Sequence, residues 1–175
     1  TEWICKGKAG VRQELGVKLC IVQDQHGFIL QHQIMNHKQD KDVAVDLAQK
    51  SLIDFPKISS MSFDKGFHSK RDIDGNNNRT LIEAMGITAH LPVKGKRNKA
   101  DALRETSEDF GIARKQHPAV ESAVNALESH GLDRCPDRGE ERYSRYAAVA
   151  VAASNIHNIG AILIKREIKR KKRVS

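Results

Sequence analysis

Cysteine is scarce and poorly placed for cross-linking. Cys5, Cys20 and Cys135 are odd in number and far apart, with no C-x-x-C pair, so neither a disulfide framework nor a zinc knuckle has support. A reducing cytosol is the expected compartment. No run reaches the roughly 18 to 20 uninterrupted apolar residues that cross a bilayer, and the first residues lack a basic-then-apolar leader pattern. The expectation is therefore a protein that neither spans a membrane nor is secreted. Internal repeats, low-complexity linkers and a second hydrophobic core are also missing. With 175 residues, one domain around one core is expected.

What is abundant is positive charge. Thirty Lys and Arg against 22 Asp and Glu give +8 and a pI near 9.5, which favours a polyanionic partner such as nucleic acid. Most of the surplus sits in Lys165 to Arg173, K-R-E-I-K-R-K-K-R, with seven basic residues and one acid. Such a run suits counterion release from phosphates, though it also suits a solvated helix end. Smaller basic clusters are Lys94, Lys96, Arg97 and Lys99 after Pro92, and Lys6, Lys8 and Arg12 around Gly7 and Gly10.

Apolar periodicity supplies the elements. Val17 to Val22 and Phe28 to Met35 read as a hairpin turning at Gly27. Val43, Leu47, Ala48, Leu52 and Ile53 recur at helical spacing after a cap at Asp40 or Asp42, until Phe55-Pro56 stops the helix. Ile58 to Asp64 alternates as a strand, Thr80 to Met85 makes a helix closed by Gly86, and Ile87 to Leu91 returns as a strand. Lys94 to Arg104 is poorly periodic, and Thr106-Ser107-Glu108-Asp109 opens a helical region. A helix follows Pro118, with Val120, Val124 and Leu127 on one stripe and His117, Glu121, Asn125 and Glu128 on the adjacent face. Glu140 to Lys172 reads as a last, long helix. The order β-β-α-β-α-β-α-α predicts one α/β domain.

Asp64 closes a strand and Glu121 projects from a later helix. Carboxylates so placed can hold Mg²⁺ or Mn²⁺ for phosphodiester chemistry, in which two ions stabilise the attacking and leaving oxygens. By spacing alone the signal is weak: an isolated Asp at a strand end is most often a turn or helix cap, and a Glu so placed most often belongs to a solvated helix face.

Three ordered segments add specificity. Ser62-Phe63-Asp64-Lys65-Gly66-Phe67-His68-Ser69, the hairpin from Glu14-Leu15-Gly16 through Asp24-Gln25-His26-Gly27-Phe28-Ile29-Leu30, and Val120-Glu121-Ser122-Ala123-Val124-Asn125-Ala126-Leu127-Glu128 with His130-Gly131-Leu132-Asp133-Arg134-Cys135 resemble the catalytic domain of bacterial insertion-sequence transposases of the DDE type. The resemblance covers nearly the whole chain. It implies an RNase H-like mixed sheet flanked by helices, with a long C-terminal helix, spanning residues 1–175 as one domain with a basic tail at 165–175. It also implies divalent-metal-dependent cleavage of transposon ends and their transfer to a target, attack coming first from water and then from a 3′-hydroxyl. Asp64 matches the family's second acid and Glu121 its third, holding Mg²⁺ or Mn²⁺, two ions in the intact enzyme. The implied partners are double-stranded DNA, as transposon ends and target, and further copies of the chain in a synaptic complex, with no membrane; the implied location is the bacterial cytoplasm, with the nucleoid.

The chain departs from the family's pattern at three places. The first acid lies on a strand preceding the hairpin; here only Thr1 to Val11 precede it, with Glu2 their one acid. That Asp is expected upstream of Thr1, in a longer parent, and the isolated chain is expected to be incomplete and inactive. Where many related transposases carry an Arg four residues before the Glu and a basic residue seven after it, this chain has His117 and Glu128. His117, with Lys94, Lys96, Arg97 and Lys99 and the tail residues Lys169, Arg170, Lys171, Lys172 and Arg173, is a candidate phosphate contact. His68 reads as a packed loop histidine, Asn125 as a support for Glu121 or a surface residue, and Trp3 as a core or edge-strand anchor. Two rivals stay open: a basic α/β module that binds nucleic acid without chemistry, and an RNase H-like nuclease that cuts without joining.

Overall fold

The computed structural model describes residues 2–5, 13–132, 134–136 and 138–173, with the backbone alone for 2–5, 13–15 and 130. The Lys6, Lys8 and Arg12 cluster and Asp133 lie outside the described residues, as do the side chains of Glu2 and Trp3. Six strands and six helices follow in the order β1 (Glu2–Cys5), β2 (Gln13–Gly16), β3 (Lys18–Gln23), β4 (Ile29–Met35), α1 (Asp40–Asp54), β5 (Ser60–Ser62), α2 (Asn78–Ala84), β6 (Thr88–His90), α3 (Lys99–Glu105), α4 (Glu108–Gln116), α5 (Pro118–Leu127) and α6 (Glu140–Lys171). The fold is mixed α/β with a long C-terminal helix.

The β3–β4 hairpin forms where alternation and turn chemistry agree. Asp24 Oδ1 accepts the main-chain N–H of His26 at 2.9 Å and of Phe28 at 2.8 Å, and Gly27 takes φ +85°, a conformation open to glycine at no steric cost. Helix α1 begins one residue before the anticipated caps: Gln39 is its N-cap, and Asp42 Oδ2 accepts the Gln39 N–H at 3.0 Å. Its buried Val43, Ala44, Leu47 and Ala48 keep the helical spacing read from sequence. Asn77 caps α2, its side chain accepting the Thr80 N–H at 3.0 Å. Lys99–Glu105, which looked aperiodic, is helical because Asn98 caps it, accepting the Asp101 N–H at 2.7 Å.

Sheet pairing departs from expectation. The strands form three two-stranded pairs: β1 with β2 antiparallel, β3 with β4 antiparallel, and β5 with β6 parallel. No described strand joins β3 to β5, so the single mixed sheet is split. The interior divides accordingly into three buried clusters where one core was expected. Ala44 and Ala48 pack with Phe63, Ile82, Ile87, Ala89 and Leu91. Ile21 and Ile29 pack with Leu127, Leu132, Ala147 and Val151. Cys20, Met35, Val43 and Leu47 make the third.

Helix α6 has 32 residues, about 48 Å of rise, and ties itself to the hairpin through Asn155. The Ile29 N–H donates to Asn155 Oδ1 at 2.9 Å, and Asn155 Nδ2 donates to the Ile29 carbonyl at 2.9 Å, so one amide side chain completes both main-chain bonds of a strand residue. Asn158 Nδ2 adds a bond to the His26 carbonyl at 3.1 Å. By length and composition α6 is long and apolar enough to cross a membrane, with an 18-residue window of mean hydropathy 1.6. Counting uninterrupted apolar residues overlooked it, because Asn155, His157 and Asn158 break the run without adding formal charge.

Candidate active site

Between the two half-sheets lies a cleft of about 2090 Å³, bounded by β3 on one side, by β5 and Asp64 on another, and by α5 with Glu121. Asp64 stands two residues beyond β5 and precedes a single 3₁₀ turn at Lys65–Phe67. Its main-chain carbonyl accepts the Phe67 N–H at 3.1 Å, while its carboxylate makes no capping bond to that turn. Asp64 thus takes the N-cap position of the turn, as the turn-or-cap reading has it, while its exposed side chain makes no capping bond. Gly66 lies close to Asp40: a Cβ at that position would stand 2.2 Å from Asp40 Oδ2, so that carboxylate would have to swing aside.

Helices α4 and α5 carry the opposing group. His117 joins them with helical φ and ψ, and Pro118 occupies the first turn of α5, where its missing N–H costs nothing. This junction docks on the end of β5. Ser62 Oγ lies 3.5 Å from His117 Nδ1 and donates to the Ala113 carbonyl at 3.4 Å; Arg114 Nη1 donates to the Phe63 carbonyl at 3.3 Å. Glu121 follows one turn after His117 and is exposed in the cleft.

The electrostatics of His117 report the convergence. Burial lowers its pKa below the ordinary imidazole value and the Arg114 charge lowers it further, while Asp64 and Glu121 both act to raise it. Both carboxylates therefore act electrostatically on the same half-buried ring, and Asp64, Glu121 and His117 all line the cleft.

The other sequence candidates lie elsewhere. Lys94, Lys96 and Lys99 are exposed in the loop before α3 and at its first residue, and do not line the cleft. Arg97 is engaged by Glu105, at 3.1 Å, which gives it a structural partner. Lys169, Arg170 and Lys171 end α6, followed by Lys172 and Arg173, all exposed; Arg170 and Lys171 approach Glu167 at 3.8 and 3.6 Å. His68 faces a different, smaller cavity. Asn125 is exposed, and its carbonyl accepts from Ser129 Oγ at 2.8 Å. Cys20 is buried and its thiol is pushed up to about 12, first by burial and then by Asp40, so it is no nucleophile at neutral pH.

No family model, curated protein or solved structure matches the chain.

Among the described residues, no three His, Cys, Asp or Glu side chains converge as a metal-holding group. Asp64 and Glu121 supply two carboxylates to the cleft, fewer than a site for two ions needs. The sequence reading also missed Arg114, Arg134 and Arg138. Arg114 had a usable signal: it precedes His117 by three residues and Glu121 by seven, both helical repeats. Arg134 and Arg138 line the cleft from the irregular segment after α5, where no periodicity exists to mark them.

Proposed function

We propose that the chain is the catalytic portion of a DNA transposase with an RNase H-like arrangement, cleaving and joining DNA with Mg²⁺ or Mn²⁺. The observation that carries this reading is that Asp64, from a strand end, and Glu121, from α5, border one cleft and both act electrostatically on the ring of His117. It is supported by the three ordered segments, by the basic surplus and by the parallel β5–β6 pair, with Asp64 two residues beyond β5. Asp64 and Glu121 would ligate the metal together with an acid outside the described side chains. Bound there, divalent ions would polarise a phosphodiester and stabilise its leaving oxygen. His117, kept neutral at pH 7 by burial and Arg114, presents a hydrogen-bonding ring beside the carboxylates without adding a competing charge. Arg114 holds the α4–α5 junction, and with it the helix that carries Glu121, against Phe63.

The test uses a supercoiled plasmid carrying the element's ends and the protein in its full natural length. Asp64→Asn or Glu121→Gln should abolish Mn²⁺-dependent nicking while leaving DNA binding and folding in place. Retained nicking in either variant would assign the chemistry to another group. A joined product separates the transposase from a nuclease that only cuts.

The module that binds nucleic acid without chemistry is favoured by one observation, the lack of a converging metal-ligand set among the described residues. Calorimetry with Mn²⁺ decides between them. Binding that disappears in Asp64→Asn supports the enzyme, and no binding in the full-length protein supports the module.

A further inference from the structure

A second cavity, of about 290 Å³, shares no lining residue with the cleft. Four cations line it: Lys70 and Arg71 from the loop that leaves Asp64, Arg79 from α2 and Arg104 from α3. Asp101 is the one carboxylate among its lining residues.

The neighbouring acids are shared among these cations and others. Glu105 accepts the Val93 N–H at 2.7 Å, pairs with Arg97 at 3.1 Å and lies 3.7 Å from Arg104 Nη2, and Glu83 pairs with Arg79 at 3.1 Å. Arg104 is held in place by a bond from Nη2 to the Leu91 carbonyl at 3.0 Å and by the Phe110 ring, whose centroid lies 5.2 Å from its guanidinium carbon. Its Nε and Nη1 are buried without a hydrogen-bond partner. A guanidinium cannot shed its proton to escape that situation, and buried donors lacking an acceptor are costly. Burial, and after it the charge of Arg79, makes Arg104 a less comfortable cation than usual. The protein has thus gathered like charges from three segments around the cavity and left two donors of one guanidinium, Nε and Nη1 of Arg104, without an acceptor.

We propose that this cavity binds a phosphate group. A tetrahedral oxyanion offers several acceptors at once to donors converging from different directions, which a planar carboxylate does not, and arginine forks match it in geometry. The site stands apart from the cleavage reading, since it needs neither metal nor Asp64. The phosphate can come from a nucleic-acid backbone or from free phosphate.

The experiment uses the full-length protein in EDTA with two probes, inorganic phosphate and a short DNA duplex of arbitrary sequence. Lys70→Ala/Arg71→Ala removes two exposed cations whose loss leaves the packing alone, and Arg104→Gln removes the half-buried one. The expected result is loss of phosphate binding in both variants. Where the duplex supplies the phosphate, its affinity also falls about tenfold or more and its salt slope flattens by one to two units. Weakened phosphate binding with unchanged duplex binding identifies free phosphate as the ligand. Unchanged binding of both probes in Lys70→Ala/Arg71→Ala overturns the proposal, whatever Arg104→Gln does to folding. Asp64→Asn is the control: it should leave both affinities unchanged while removing cleavage, so failure of this site and failure of the transposase reading are told apart.

Discussion

His117 is the residue on which the site can be checked without any activity assay. Its folded-state pKa lies below the ordinary value near 6.5, with burial as the first cause and Arg114 as the second, so the unfolded chain takes up the proton more readily. Stability from this residue is therefore fully present above about pH 6.5 and is lost as pH falls toward the folded value; His32 and His90, also lowered by burial, act in the same direction. Urea midpoints should drop between pH 7.5 and pH 5.5, and His117→Gln should reduce that drop. Because Asp64 and Glu121 each raise the imidazole, Asp64→Asn and Glu121→Gln should each move the His117 titration, followed by NMR, to lower pH. A titration unmoved by either change would separate that carboxylate from the ring. Gly66 gives a second prediction at this scale. The Cβ of Gly66→Ala would enter the space of the Asp40 carboxylate, at a cost of about 1 to 3 kcal/mol by overpacking. Asp40→Ala in the same chain should recover most of that loss in a thermal melt.

Elements were legible in the sequence where one local signal ruled. Val43, Leu47 and Ala48 announced α1 because a helix packed on a core must repeat its apolar face, and Gly27 announced the hairpin because few other residues accept φ +85°. Helix α3 was not legible, since it buries no apolar side chain and Asn98 starts it through a polar cap. The partition into half-sheets was hidden for a different reason: strand pairing is a long-range choice that periodicity does not encode. The site shows the same division. Asp64 and Glu121 stood at readable positions, whereas the Arg114 bond to Phe63 depends on how α4 docks. The docking of α6 also rests on one unforeseen residue, Asn155. Asn155→Ala would strand the Ile29 N–H and carbonyl, costing about 2 to 3 kcal/mol. Urea unfolding should register that loss, with Asn155→Asp recovering part of it through the retained acceptor. An unchanged midpoint would mean that Ile29 finds other partners.

At the scale of the whole molecule, the cleft is a property of two strand edges as much as of the residues that line it. β3 pairs only with β4 and β5 only with β6 among the described residues, and both border the same cleft. In an antiparallel strand, successive main-chain N–H groups point alternately toward the partner and away from it. Half of the amides in Lys18–Gln23 are thus committed to β4, while the others lack a described strand partner. Such edges recruit strands, from the same polypeptide or from another copy. Hydrogen exchange resolved by NMR should therefore show an alternating pattern along β3, with protected and fast amides in succession, where a strand paired on both sides would be protected throughout. The 175-residue chain should also associate with itself as its concentration rises in light scattering, and a lysine in place of Val22, which borders the cleft, should suppress that association. If the polypeptide in its full natural length supplies an extended segment to the gap, the fast amides of β3 should slow in it and self-association should fall. Uniform slow exchange along β3 in the 175-residue chain, with no concentration dependence of scattering, would show that both strand edges are already satisfied and that the cleft does not receive a strand.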